Sequence, residues 1–172
     1  MGKTLKRLFT AAVGTAAAWA LAVKPRTSGK PDMTEFQKYD FAHRGYWNLR
    51  KKIPENSLKA FEEAASRGYG IEMDVRLTRD GVPVVIRDSR LLRLCGAEIC
   101  VEDSTREELR NYFLSKTEER IPDLREALEL VDGQVPVLLD LKPEEENYGM
   151  LCSRVSRILD GYDGVFAVQS AD

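Results

Sequence analysis

Glu72 and Asp74 stand two residues apart, and so do Asp140 and Lys142, each pair interleaved with apolar residues. In an extended strand that spacing puts both members of a pair on one face. Ile71, Met73 and Val75, or Val137, Leu139 and Leu141, then take the other. Charged groups on a hidden face need partners, because an uncompensated buried carboxylate is costly. If the two faces converge, three carboxylates would repel one another unless a cation lay between them. Oxygen ligands without cysteine or additional histidine suit Mg²⁺ or Ca²⁺ better than zinc. The same acids could instead pair with Arg44, Arg76 and Lys142 in an internal salt-bridge network, and spacing alone leaves both readings open. His43 is the single histidine of the chain. Its titration range suits proton transfer near neutrality, although a lone histidine is more often structural. Arg44 could hold two phosphate oxygens, Lys142 could add a point charge, and Gly45 would let the backbone approach a ligand. A cation, a phosphate clamp and a positioned acid or base together make the kit for phosphoester cleavage.

These groups must be carried by an alternation of short apolar runs and helical patterns, which predicts βαβ units and a parallel sheet. A first strand over Tyr39–Ala42 delivers His43. Asn56 is the expected N-cap of a helix over Ser57–Arg67, with Gly68 at its C-terminal end. The second strand, Gly70–Leu77, carries Glu72 and Asp74. Asp80-Gly81 turns the chain into a third strand, Val82–Ile86, ending at Arg87-Asp88. Ser104 to Glu107 reads as a capping box for a short helix to about Tyr112. Ile121-Pro122-Asp123 opens another helix that stops at Asp132-Gly133. A fourth strand over Val135–Leu141 presents Asp140 and runs on to Lys142. An amphipathic helix over Glu144–Leu159 follows, its apolar stripe starting at Tyr148, and then a fifth strand over Val165–Gln169.

With 172 residues, 43% hydrophobic and 31% charged, the chain suits one globular domain. A net charge of -2 gives no basic excess for a nucleic-acid partner. Cys95, Cys100 and Cys152 have no metal-ligand spacing and read as apolar fillers or free thiols. Residues 1–23 differ in kind. Lys3, Lys6 and Arg7 precede an uncharged run, Leu8–Val23, just short of the ~17–25 residues that cross a bilayer comfortably. The run fits a signal peptide or a membrane anchor, and the protein is expected to be membrane-associated or exported. Residues 24–38 read as a polar linker, and residues 39–172 as the domain.

Three segments carry a specific resemblance: His43-Arg44-Gly45, Pro54-Glu55-Asn56-Ser57-x-x-Ala60-Phe61, and Gly70-Ile71-Glu72-x-Asp74-Val75-x-x-Thr78-x-Asp80-Gly81-x-Pro83-Val84. In order and spacing they resemble the glycerophosphodiester phosphodiesterase family. The match continues through Asp88, Leu91, Arg93, Gly96, Ile121-Pro122, Leu141-Lys142 and Val168-Gln169-Ser170. The resemblance implies an α/β (β/α)₈ TIM barrel that hydrolyses glycerophosphodiesters to glycerol 3-phosphate and an alcohol. It also implies one divalent cation, Mg²⁺ or Ca²⁺. By the same resemblance His43 matches one of two catalytic histidines, Arg44 the phosphate-contacting arginine, Glu72 and Asp74 metal ligands, and Lys142 a lysine beside the substrate phosphate.

The sequence departs from the family pattern in three places. Arg87 stands where the second histidine is expected; it can bind phosphate but cannot shuttle a proton, so slow turnover is expected. Asp140 replaces the usual glutamate ligand, so the cation must shift or a water must bridge. Residues 39–172 fall well short of the ~250 residues of a TIM barrel, so an incomplete barrel covering about the first five strands is expected. A catalytically impaired protein that binds phosphate or lipid head groups, or a non-functional fragment, is the alternative reading.

Overall fold

The sheet is organised around the longest strand among the described residues. The computed structural model describes residues 32–170, so the hydrophobic run expected over residues 1–23 lies outside the described residues. The strands are β1 (Phe41–His43), β2 (Gly70–Leu77), β3 (Pro83–Val85), β4 (Val137–Leu141) and β5 (Phe166–Ser170). The sheet runs β1-β2-β4-β5, every neighbouring pair on this path being parallel. Its helices are α1 (Leu58–Ser66), α2 (Leu92–Cys95), α3 (Arg106–Leu109), α4 (Leu124–Val131) and α5 (Tyr148–Leu159). The architecture is α/β and forms part of a TIM barrel, as expected. Among the described residues no helix is long and apolar enough to cross a membrane.

The alternation read in β2 decides the layering. Ile71, Met73 and Val75 are fully buried against Phe61 and Ala64 of α1, Leu124 and Leu128 of α4, and Leu151 and Val155 of α5. Val137, Leu139 and Leu141 of β4 join the same core. Each of these larger side chains contributes on the order of 2 kcal/mol by leaving water. The opposite face of β2 and β4 is left for Glu72, Asp74 and Asp140.

The third strand differs from the expected parallel one. β3 returns antiparallel along the C-terminal half of β2, pairing Val75 with Val85 and Leu77 with Pro83. The connection from Leu77 to Pro83 is a tight turn, with Gly81 donating to the carbonyl of Thr78 at 2.9 Å. A parallel pairing needs a crossover of about a dozen residues, so a turn this short can only double the chain back. The parallel sheet therefore has four strands, not five. The chain then makes an excursion with its own apolar cluster, in which Val84, Ile86, Leu91, Val101, Leu109, Leu114 and Ile121 are buried.

Several caps fall one residue from their expected places. Ser57, not Asn56, caps α1, its Oγ accepting from the Ala60 amide at 3.2 Å. Thr105 and Glu108 form the capping box of α3, while Ser104 donates instead to the carbonyl of Cys100. α4 is capped as expected by Asp123, with Glu126 reaching back to the cap amide. α5 begins at Tyr148 rather than Glu144, and Tyr148 is exposed; Leu151, Val155 and Leu159 make the buried stripe.

Candidate functional site

The backbone places the acids before any side chain is considered. Parallel pairing aligns His43 with Glu72 and Asp74 with Asp140. As a result Glu72, Asp74 and Asp140 each offer an oxygen within 4.8 Å of the others, and all three residues are buried. Asp74 is 0% exposed. Burial first, and then the negative charge of Asp74, pushes the Glu72 carboxyl up to about 7.

Cations surround this cluster without neutralising it evenly. Lys142 Nζ lies 2.5 Å from Asp140 Oδ2 and 3.5 Å from Asp74 Oδ1. Arg44 Nε lies 3.2 Å from Asp74 Oδ2, and its NH1 donates to Glu55 Oε1 at 2.8 Å. The Arg44 amide donates to Glu72 Oε2 at 2.9 Å. Arg87, half exposed at the rim, brings NH1 to 3.8 Å from Asp74 Oδ1. His43 is also exposed, with Nε2 3.9 Å from Glu72 Oε2. Even so, Asp74 Oδ1 and Asp140 Oδ1 are buried and accept no hydrogen bond from the protein.

The structure thus brings together all seven residues that the sequence singles out: His43, Arg44, Glu72, Asp74, Arg87, Asp140 and Lys142. Both open readings of the acids have a part in it. The salt-bridge network exists, with Lys142 and Arg87 at ion-pair distance from Asp74 Oδ1, but it leaves Asp74 Oδ1 and Asp140 Oδ1 without a hydrogen bond, and these are oxygens that a hard divalent cation would take. Arg76 is not in the network around the acids. It turns to Glu102 at 2.7 Å and Glu144 at 2.9 Å, and donates to the Arg87 carbonyl at 2.6 Å. Gly45 also serves packing rather than ligand approach. It has φ +76, and a Cβ there would meet the backbone of Ala60 at 2.8 Å.

Two contributors escape a reading of charge alternation alone. Asn56 sits at φ 53 and is 1% exposed. Its Nδ2 donates to Asp74 Oδ2 at 3.0 Å, and its Oδ1 accepts from the Asp74 amide at 3.3 Å. Asparagine tolerates that left-handed backbone better than most residues. Arg44, at φ 63, is a second such position beside the acids. Glu55 receives Arg93 NH2 at 2.7 Å as well as Arg44. Burial alone would raise the Glu55 carboxyl, but the two guanidiniums prevail and hold it below its ordinary range. The signal for both was present in Pro54-Glu55-Asn56-Ser57, where a helix cap offered a sufficient local explanation.

With this geometry in place, the relatives are informative. The profile of the glycerophosphoryl diester phosphodiesterase family matches residues 43–170. The chain is 36% identical over 115 residues to a glycerophosphodiester phosphodiesterase of Bacillus altitudinis, covering 63% of this chain and 46% of that protein. A second, from Caldanaerobacter subterraneus subsp. tengcongensis, is 43% identical over 109 residues, covering 59% and 44%. The chain spans about half the length of the curated relatives it matches. Its fold superposes with a TM-score of 0.71 and 26% identity on a phosphodiesterase from Oleispira antarctica in complex with the product sn-glycerol-3-phosphate, covering 78% of this chain and 57% of that one.

Fold and site together define a partial α/β barrel with an acidic cluster at the strand ends that could hold a metal ion. The chain belongs to the glycerophosphoryl diester phosphodiesterase family.

Proposed function

We propose that this chain serves the metal-dependent hydrolysis of glycerophosphodiesters to glycerol 3-phosphate and an alcohol. The observation that carries this reading is the trio of buried carboxylates within 4.8 Å of one another, with Asp74 Oδ1 and Asp140 Oδ1 accepting no hydrogen bond from the protein. Glu72, Asp74 and Asp140 would hold one divalent cation, Mg²⁺ or Ca²⁺. When bound, that ion supplies charge stabilisation for a phosphodiester whose negative charge grows in the transition state. The product held by the Oleispira antarctica relative supports the substrate class.

The remaining roles follow from what each side chain can donate. Arg44 uses Nε and NH1 on Asp74 and Glu55, which leaves NH2 for a phosphate oxygen. Lys142 and Arg87 both add positive charge beside Asp74 Oδ1. His43, exposed beside Glu72, is the group that moves a proton, at Nε2. Arg87 stays protonated and can only bind, so one of the two proton transfers that hydrolysis requires has no side-chain partner here. The hydrophobic run Leu8–Val23 supports a membrane-associated or exported protein acting on lipid-derived phosphodiesters.

The test is calorimetry of the full chain with Mg²⁺ and with Ca²⁺, beside release of glycerol 3-phosphate from glycerophosphocholine. Cation binding with slow, cation-dependent release is expected. Arg87→His should raise that release about 10²- to 10⁴-fold. Binding of cation and glycerol 3-phosphate without release from either protein would support a phosphate-binding role instead, and absence of cation binding would overturn the site.

A further inference from the structure

The loop that leaves the site after Gly45 and returns to it at Glu55 has features that hydrolysis does not explain. Its tip carries Arg50, Lys51 and Lys52 in succession, all exposed, beside Trp47 at 45% and Leu49 at 52% exposure. Single exposed apolar residues are ordinary, but an indole, a leucine and three cations on one short loop are not.

The loop is also built to hold its shape. Asn48 and Ile53 exchange backbone hydrogen bonds at 2.8 and 3.1 Å, and Ile53 is buried beneath them. Asn48 Oδ1 caps the 3₁₀ turn Leu49–Lys51 by accepting from the Arg50 amide at 3.0 Å, and Lys52 closes it at φ 57. At the base, Tyr46 stacks on Tyr69 and receives the Arg67 guanidinium 4.6 Å above its ring. Tyr46 is therefore an anchor, while Trp47 and Leu49 project without partners of that kind. No carboxylate lies within ion-pair distance of Arg50, Lys51 or Lys52 among the described residues. Lys52 borders a cleft of about 440 Å³ that mixes Lys59 and Lys116 with Glu118 and Glu119, so the unbalanced positive charge belongs to the tip.

We propose that residues 46–52 form a docking loop for the surface of an anionic phospholipid bilayer. The charge pattern commits the occupant: cations attract the lipid phosphates, while Trp47 and Leu49 enter the interface where an amphipathic ring is favoured. A nucleic acid would give Leu49 nothing to bury against, and the chain as a whole is acidic. The loop is bracketed by Arg44 at its start and by Glu55 and Asn56 at its end, each bonded into the acidic cluster. Docking therefore turns that cluster toward the membrane, a consequence for substrate capture that rests on the hydrolytic reading, whereas docking itself does not.

Trp19 and Trp47 are the two tryptophans of the chain, so the full chain with Trp19→Phe reports from the loop alone. Its emission is measured with phosphatidylcholine vesicles, with and without phosphatidylglycerol, using lipids brominated on the acyl chains. The expected result is a blue shift and quenching with anionic vesicles and little of either with neutral ones. Removing one loop cation should weaken this partitioning roughly fivefold, and Arg50→Glu with Lys51→Glu should nearly abolish it. Leu49→Ser should reduce quenching while the folded spectrum by circular dichroism is unchanged. The proposal is overturned if Trp47 emission stays unshifted while sedimentation shows the chain on the vesicles, or if no binding occurs at all. An equal shift with soluble polyphosphate in place of vesicles would assign the loop to a soluble polyanion and overturn the lipid reading. None of these readouts requires turnover, so a failure here is separable from a failure of the proposed hydrolysis.

Discussion

The acids around Asp74 and the network around Arg106 are both dense clusters of opposite charge, yet only the first leaves buried carboxylate oxygens without a hydrogen bond. Around Arg106, Glu126 accepts from Arg106 NH2 at 2.8 Å and from Arg110 at 3.2 Å, while its Oε2 also takes the Asp123 amide at 2.9 Å. Every carboxylate there is engaged, and the buried atoms without a hydrogen bond are Arg106 Nε, which faces Asp123 Oδ2 at 3.4 Å, and NH1. At the strand ends the buried atoms without a hydrogen bond are Asp74 Oδ1, Asp140 Oδ1 and Arg44 Nε. A guanidinium carries more donors than most structural pairs can use, so spare N–H groups are the ordinary residue of a structural network. Buried carboxylate oxygens without a hydrogen bond are not, because the charges of Lys142 and Arg87 near Asp74 Oδ1 compensate their desolvation only in part. Both clusters hold elements together, but only the first-described one has capacity for a ligand.

If that contrast is right, truncating each cluster should have different consequences. Asp74→Ala should have the largest effect. It strips Arg44 and Lys142 of a fully buried partner, costing about 3 kcal/mol in denaturant titration, and removes divalent-cation binding by calorimetry. Retained cation affinity would break the comparison. Asn56→Gly keeps the left-handed backbone but deletes both hydrogen bonds to Asp74, for about 2 kcal/mol and a weakened cation site. Asn56→Asp, read by the same titration, should be worse placed still, since it adds a fourth acid. Glu126→Ala should cost about 1 kcal/mol by thermal denaturation through loss of the capping box of α4, with cation affinity unchanged.

A further effect concerns pH. Glu72 has its proton affinity raised in the fold, from an ordinary 4.5 to about 7. The sign follows from linkage: the folded state holds this proton more tightly than the unfolded chain. The contribution to stability is therefore complete below pH 4.5 and is lost as pH rises through about 7. In chelator the melting temperature should fall across that window relative to Glu72→Gln. Added Mg²⁺, which binds the deprotonated form, should reverse the trend.

Much of the site could be read without coordinates because strand periodicity is a local property. Two residues of spacing place Glu72 with Asp74 whatever the rest of the chain does, and the apolar partners Ile71, Met73 and Val75 declare which face is core. Arg44 and Lys142 were readable as cations near the acids for similar reasons of chemistry and position. Asn56 was not, because a residue of that type before a helix already has a local use as a cap. Its actual role depends on a left-handed turn that lets Ser57 take over the cap. Arg76, one of the partners left open for the acids, parts from them for the converse reason. It shares the charged face with Glu72 and Asp74, but it lies at the strand end, where Glu102 and Glu144 from two other segments reach it.

The sequence by itself determined that this is an α/β chain with two charged strand faces, and which family it resembles. Alternation, caps and turn residues act within a few positions of themselves and so survive in one dimension. Tertiary structure decided that β3 doubles back, that the parallel sheet has four strands, and that Asp140 stands level with Asp74. Register is a contest between distant segments, settled by loop length and by which apolar faces pack, and no residue carries it alone. The same holds for the acidic cluster. Its members are visible in the sequence, but the two buried oxygens left without hydrogen bonds exist only once the strands are side by side.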